Sequence, residues 1–284
     1  MLEVTHLSKT YGTDAQATPA VRDISFCVDR SEFVCIVGPS GCGKTTLLKM
    51  LSGLMRPTSG TITLEGRPVV EPPEEMALVF QDYSRSLYPW MKVGENIAFP
   101  LRSKKGLSKR ERRERVEHAV SSVGLDGFID KYPWQLSGGM QQRVAIARGL
   151  AYQPEILLMD EPFASVDAQT RSDLEDLVLR VRHEYGVTVL LVTHDIDEAV
   201  YLADRVVILT SRPTVVHEEL VVDLPRPRDQ ITTKELPEFA HLRGHVYRAI
   251  KRPADGAQRE DAQQDSTKPD STTAPLPPTV TASA

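Results

Sequence analysis

The sequence predicts an α/β protein built on a mostly parallel sheet, and three observations carry that prediction. Residues 38–45 read GPSGCGKT, a glycine-rich phosphate-binding loop, set between an apolar run, FVCIV at 33–37, and a helix-forming run, TTLLKMLSGL at 45–54. A second apolar run, ILLMD at 156–160, ends on a carboxylate, and an open sheet presents the carboxyl ends of its strands to ligands. Around these runs, strand-length apolar segments alternate with stretches of helical period, the pattern of parallel strands joined by crossover helices.

In chain order, residues 2–36 alternate apolar and polar positions (Leu2, Val4, Val21, Ile24, Phe26, Val28) around a polar loop at 12–19, which predicts short antiparallel strands. FVCIV is a buried strand running into the phosphate loop, with the 45–54 helix behind it. From 90 to 150 the pattern turns helical. Ser108 and Glu111 form an S-x-x-E capping box, and Val116, Ala119, Val120 and Val123 recur at helical spacing, leaving KRERRER at 109–115 on the solvent face. After the strand at 156–159 comes a helix with Leu174, Leu177, Val178 and Val181 on one face, then strands at 187–193 and 206–210. Beyond Pro213, VVHEELVVDL reads as a short strand ahead of PRPRD, and Phe239, Leu242, Val246 and Ile250 mark a final amphipathic helix. Residues 253–284 hold five Pro, eight Ser or Thr and no aromatic residue, too little apolar surface to offset chain entropy, so a disordered tail is expected there.

The bulk composition excludes several classes. With 284 residues, 40% hydrophobic and 26% charged, the chain can bury a large core, and a net charge of −5 argues against nucleic acid as a partner. Cys27, Cys35 and Cys42 show no metal-ligand spacing and are expected to be reduced thiols; Cys42 lies in the phosphate loop, but no step of phosphoryl transfer needs a thiol. No apolar run approaches the roughly 20 residues that cross a bilayer. The opening MLEVTHLSKTYG lacks a secretory pattern, so the chain is expected in the cytosol or on a membrane only through a partner.

Hydrolysing a phosphoanhydride requires neutralised phosphate charge, a bridging metal and an oriented water. The loop residues Gly38, Pro39, Ser40, Gly41, Cys42 and Gly43, with Lys44, Thr45 and Thr46 opening the helix, are the candidate cradle for those phosphates. Lys44 supplies mobile positive charge, and the Thr45 hydroxyl and the Asp160 carboxylate are candidate Mg²⁺ ligands. Glu161, next to Asp160, is the candidate that polarises the attacking water.

GPSGCGKT at 38–45, LSGGMQQR at 136–143 and ILLMDEP at 156–162, in that order, resemble the ATPase subunits of ABC transporters, and the resemblance covers about residues 2–250. It implies a P-loop NTPase core with an N-terminal antiparallel β subdomain, an inserted α-helical subdomain at about 90–150, an appendage at about 212–250, and ATP with Mg²⁺ as the bound pair. By the same resemblance, Tyr11 stacks on adenine, and Gln81 in VFQD reaches metal and water and senses the membrane partner. Ser137, Gly138 and Gly139 close over the γ-phosphate held by a second copy in a head-to-tail dimer, Asp167 communicates across that dimer, and His194 in THD contacts the γ-phosphate. Val166 and Met140 depart from the commoner family residues, but neither would be a phosphate or metal ligand.

A single motif set without a membrane segment resembles a separate importer subunit. LYPWMKVGENIAFPL at 87–101 and VVDLPRPRD at 221–229 resemble the nitrate, sulfonate and taurine group. That group implies permease subunits in the inner membrane, an external substrate-binding protein, and a groove lined by Leu87, Pro89 and Trp90 that receives a permease helix. The alternatives are the ATPase of an exporter or lipid-handling complex and, more remotely, a non-transport ABC protein acting on ribosomes or DNA.

Overall fold

The computed structural model describes residues 1–12, 17–82 and 86–251; the tail at 253–284 lies outside the described residues. Strands β1 (Leu2–Tyr11), β2 (Thr18–Val28), β3 (Phe33–Val37), β4 (Ser59–Leu64), β5 (Arg67–Pro68), β6 (Met76–Val79), β7 (Ile156–Asp160), β8 (Thr188–Val192), β9 (Arg205–Leu209) and β10 (Thr214–Val221) are hydrogen-bonded in the order β5-β4-β1-β2-β10-β9-β3-β8-β7-β6. The helices are α1 (Lys44–Leu51), α2 (Val93–Ala98), α3 (Lys109–Ser122), α4 (Gly138–Ala151), α5 (Ala168–Tyr185), α6 (Ile196–Leu202) and α7 (Pro237–Lys251).

The sheet has two characters. Strands β9, β3, β8, β7 and β6 run parallel, and every residue of β3, β7 and β8 is buried. That is why they read as unbroken apolar runs: helices cover both faces of a parallel sheet. Because side chains alternate along a strand, Phe33, Cys35 and Val37 of β3 enter the core that holds α4 and α5, while Val34 and Ile36 enter the core that holds α1. Strands β1, β2, β4 and β5 form an antiparallel arm, and β10 splices the halves, parallel to β2 at Thr214 and Val215 and antiparallel to β9 further on.

The antiparallel pairing expected near the N-terminus holds for β1 and β2, but these strands are long, at 10 and 11 residues. The Ser108–Glu111 box is formed: the Glu111 N–H donates to Ser108 Oγ at 3.2 Å, and the Ser108 N–H donates to Glu111 Oε2 at 2.7 Å. Val116, Ala119, Val120 and Val123 are buried, and most of 109–115 faces water, with Arg112 and Arg115 half-buried. The sequence reading passed over β4, β6 and α6. Strand β6 has four residues and α6 seven, too short for a period to register, and β4 is half exposed. Among the described residues no helix is long and apolar enough to cross a membrane.

Candidate nucleotide site

The phosphate loop leaves β3 at Val37 and enters α1 at Lys44. Its turn needs glycine backbone freedom: Gly41 has φ +74° and Gly43, the residue before α1, has φ +110°, a region that side chains with a Cβ disfavour. Nothing lies within 4 Å of a Cβ built on Gly41, so conformation rather than space selects glycine there. Lys44 is 6% exposed, and its ammonium donates to the carbonyls of Gly38 at 2.9 Å and Pro39 at 3.3 Å, using two of its three N–H groups. The Cys42 thiol is buried, which pushes its pKa up and keeps it from being a reactive thiolate; the Thr214 hydroxyl of β10 donates to the Cys42 carbonyl. Tyr11 closes the near side of the loop: its hydroxyl pairs with Thr46 Oγ1 at 3.1 Å, while its ring stays 40% exposed.

The carboxylates stand opposite. The Thr45 hydroxyl donates to Asp160 Oδ1 at 3.5 Å, which sets the last residue of β7 beside the first turn of α1. Burial pushes the Asp160 carboxyl above its ordinary pKa; the Thr45 bond opposes the shift, the charge of Glu161 adds to it, and Lys49 and Lys44 draw it down. Glu161 has φ +42°, a strained backbone for a side chain of this type, held because its N–H donates to the Val192 carbonyl at 2.8 Å. Its Oε2 lies 3.0 Å from His194 Nδ1 and accepts from Gln81 Nε2 at 3.2 Å. Gln81, Glu161 and His194 each follow a parallel strand, β6, β7 and β8, and those strands are neighbours. Residues far apart in the chain therefore meet at one carboxyl edge.

The other motif residues are arranged differently. Ser137 caps α4, accepting from the Met140 N–H at 3.3 Å. Asp167 caps α5, accepting from the Thr170 N–H at 3.0 Å and the Thr170 hydroxyl at 2.7 Å, and these bonds hold its carboxyl below the usual range. The two turns touch, since a Cβ on Gly139 would fall 2.3 Å from Thr170 Cγ2. Ser137, Gly138 and Asp167 face solvent, and the side-chain bonds of Ser137 and Asp167 are local to their own helices.

Residues 21–164 match the ABC transporter family. The chain belongs to it. This ABC ATPase is 47% identical over 250 residues to an uncharacterized ABC transporter ATP-binding protein of Methanocaldococcus jannaschii, covering 88% of this chain and 91% of the other. It is 44% identical over 239 residues to the nitrate import ATP-binding protein NrtD of Synechococcus elongatus, covering 84% of this chain and 86% of NrtD. With NrtC of the same organism it shares 47% over 229 residues, 80% of this chain but 34% of that longer protein. Among solved structures it is similar to a dimeric ATP-binding cassette in a post-hydrolysis state bound to ADP and Pi, at 32% identity and a TM-score of 0.68, covering 78% of this chain and 99% of that one. The chain is thus the ATP-binding subunit of an ABC transporter and hydrolyses ATP to drive transport.

Two features of the ABC ATPase escaped the sequence reading. Leu87, expected on a surface groove, is buried in the core, whereas Pro89 and Trp90 are on the surface, Trp90 at 69% exposure with its ring 5.5 Å from Tyr88. Behind Glu161 and His194, Arg171, Thr193, Asp195 and Glu198 form a polar cluster that was not foreseen. The only signal for it was the D-x-x-E spacing of Asp195 and Glu198, which reads as a helix start; Asp195 does cap α6, accepting from the N–H groups of Asp197 and Glu198.

Proposed function

We propose that this ABC ATPase powers import of a small oxyanion or sulfonate, of the nitrate, sulfonate or taurine type, through a membrane permease, acting as a head-to-tail dimer at the cytoplasmic face of the inner membrane. The observation that carries the catalytic part is the meeting of Gln81 and His194 on Glu161, beside the Thr45–Asp160 pair. The nitrate import relatives support the substrate class. The net charge of −5 argues against nucleic acid as a partner.

ATP binds with its adenine on Tyr11 and its phosphates in the loop 38–43, where Lys44, Thr46 and the free N–H groups opening α1 favour negative charge. The Thr45 hydroxyl, the Asp160 carboxylate and the Gln81 side-chain oxygen are hard donors that suit Mg²⁺. When bound, Mg²⁺ neutralises charge on those phosphates. Glu161 polarises the attacking water, Gln81 and His194 hold its carboxylate in one orientation, and His194 contacts the γ-phosphate. Ser137, Gly138 and Gly139 close over ATP held by a second copy, and Asp167 meets that copy. Residues 1–250 act as one ATPase domain, with a helical subdomain at about 90–150, whose face bearing Pro89 and Trp90 receives the permease, and an appendage at about 212–250.

Reconstitution with the co-purifying permease and an external binding protein tests this reading. ATP hydrolysis stimulated by nitrate, a sulfonate or taurine is the expected result. Stimulation by none of them overturns the substrate class, and failure of the chain to join a permease overturns the transport assembly.

A further inference from the structure

Between the candidate catalytic pair and the helix that carries Asp167 lies a cavity of about 30 Å³. Glu161, His194, Arg171, Thr193, Asp195 and Glu198 are among the residues that line it. The residues flanking His194 are tightly tied. Thr193 Oγ1 donates to Glu198 Oε2 at 2.6 Å and accepts from the Asp195 N–H at 3.0 Å. Glu198, at 4% exposure, is a buried carboxyl whose nearest cation is Arg171, with Nε at 3.7 Å from Oε1. Arg171 also donates from Nη1 to Asp195 Oδ2 at 3.1 Å. One guanidinium is therefore hydrogen-bonded to Asp195, which caps the helix after His194, and in ionic contact with Glu198, which holds the Thr193 hydroxyl just before it.

Arg171 sits in the first turn of α5, where its N–H donates to the Asp167 carbonyl at 2.9 Å. Its neighbour Thr170 holds the Asp167 carboxylate and lies against Gly139. The start of α5 thus faces the 137–139 turn through one residue and the His194 turn through the next. Burial pushes the Glu198 carboxyl up to about 7, with Asp195 and Glu175 adding to the shift and Thr193 and Arg171 opposing it, so this carboxyl depends on its partners for its charge.

We infer that Arg171 is a positioning residue for ATP hydrolysis: by holding Asp195 and Glu198 it sets the His194 ring against Glu161, and it makes that alignment follow the turn that carries Asp167. The inference rests on the reading of Glu161 and His194 given above. It assigns Arg171 no contact with substrate.

The test uses the full chain assembled with its permease and compares Arg171→Ala, Arg171→Lys and His194→Ala. Misplacing a catalytic group by about 1 Å costs roughly 100-fold. Arg171→Ala is expected to lower kcat by about 10- to 100-fold with KM for ATP changed less than about twofold, and Arg171→Lys to recover much of the loss. In the His194→Ala background, Arg171→Ala is expected to cost little more, because the group it positions is gone. The imidazole ¹⁵N resonances of His194, assigned by their disappearance in His194→Ala, should shift in Arg171→Ala. An unchanged kcat, a full additional loss in the His194→Ala background, or unmoved His194 resonances overturns the inference. Should Arg171→Ala not fold, the shift and kcat of Arg171→Lys decide the same question. Glu161→Gln is the control: loss of turnover there leaves the site reading standing and lets the Arg171 results decide, whereas retained turnover removes the reading and the inference together.

Discussion

At the carboxyl edge of β6, β7 and β8 three side chains already meet, Gln81 and His194 on Glu161. At the starts of α4 and α5, by contrast, Ser137 and Asp167 spend their side chains on their own first turns and face solvent. The first region is a hydrogen-bonded cluster completed within one chain. The second is a pair of helix starts capped by their own side chains, and helix starts have the chemistry of an anion site. A site divided in this way can be probed one half at a time.

The largest expected effect falls on the completed half. Glu161→Gln should lower phosphate release by at least about 100- to 1000-fold while ATP binding survives, since the amide keeps the shape of the side chain but cannot polarise water. Hydrolysis at the wild-type rate would remove Glu161 from that role and undo the contrast. Next comes Lys44→Ala, which strips a buried ammonium from the phosphate cradle and should cost about 2–5 kcal/mol of nucleotide binding by titration calorimetry. Unchanged affinity would show that the cradle works through its backbone alone.

Gly139→Ala probes the open half. The added methyl would sit 2.3 Å from Thr170 Cγ2, and a β-branched side chain has little room to turn away. The change should destabilise the fold by about 1–3 kcal/mol in denaturant melts and loosen the Asp167 cap. ATP binding by the isolated chain should stay as in wild type, with turnover reduced. A loss of ATP binding would mean that the two halves are not separable.

A last effect, read in the pH dependence of stability alone, concerns the cluster between them. Unfolded, Glu198 ionises near 4.5; folded, it keeps its proton up to about 7. Folding therefore holds the extra proton in this window, and wild-type stability falls as pH rises from about 4.5 to about 7, then levels off. Glu198→Gln carries no such charge, so its melting temperature should match wild type near pH 5 and exceed it near pH 8, by up to about 3 kcal/mol of stability. A variant weaker than wild type at pH 8 would show that the ionised carboxylate on Arg171 contributes more than its burial costs.

Legibility in the sequence followed the span of the interactions. The phosphate loop was readable because every part of it lies within residues 33–54, where a strand, a glycine turn and a helix leave local marks. The Ser108–Glu111 cap was readable for the same reason. Glu161 could be picked out from the paired carboxylates at a strand end, and Gln81 and His194 by family resemblance, but their meeting depends on β6, β7 and β8 lying side by side, and β6 itself was passed over. Arg171 carried no mark, because its partners lie 24 and 27 positions away.

The sequence by itself determined the chemistry available: a glycine turn with a lysine for phosphate, paired carboxylates at a strand end, and apolar runs that must be buried on both faces. These are properties of residue type and short-range spacing. Only the tertiary structure decided which of these groups share a point in space. It aimed Glu161 at Gln81 and His194, set Thr170 against Gly139, drew Leu87 inward while leaving Trp90 outside, and lodged Arg171 between two carboxylates. Such contacts join distant segments, and strand order with packing, rather than local preference, selects among the pairings that the residue types allow.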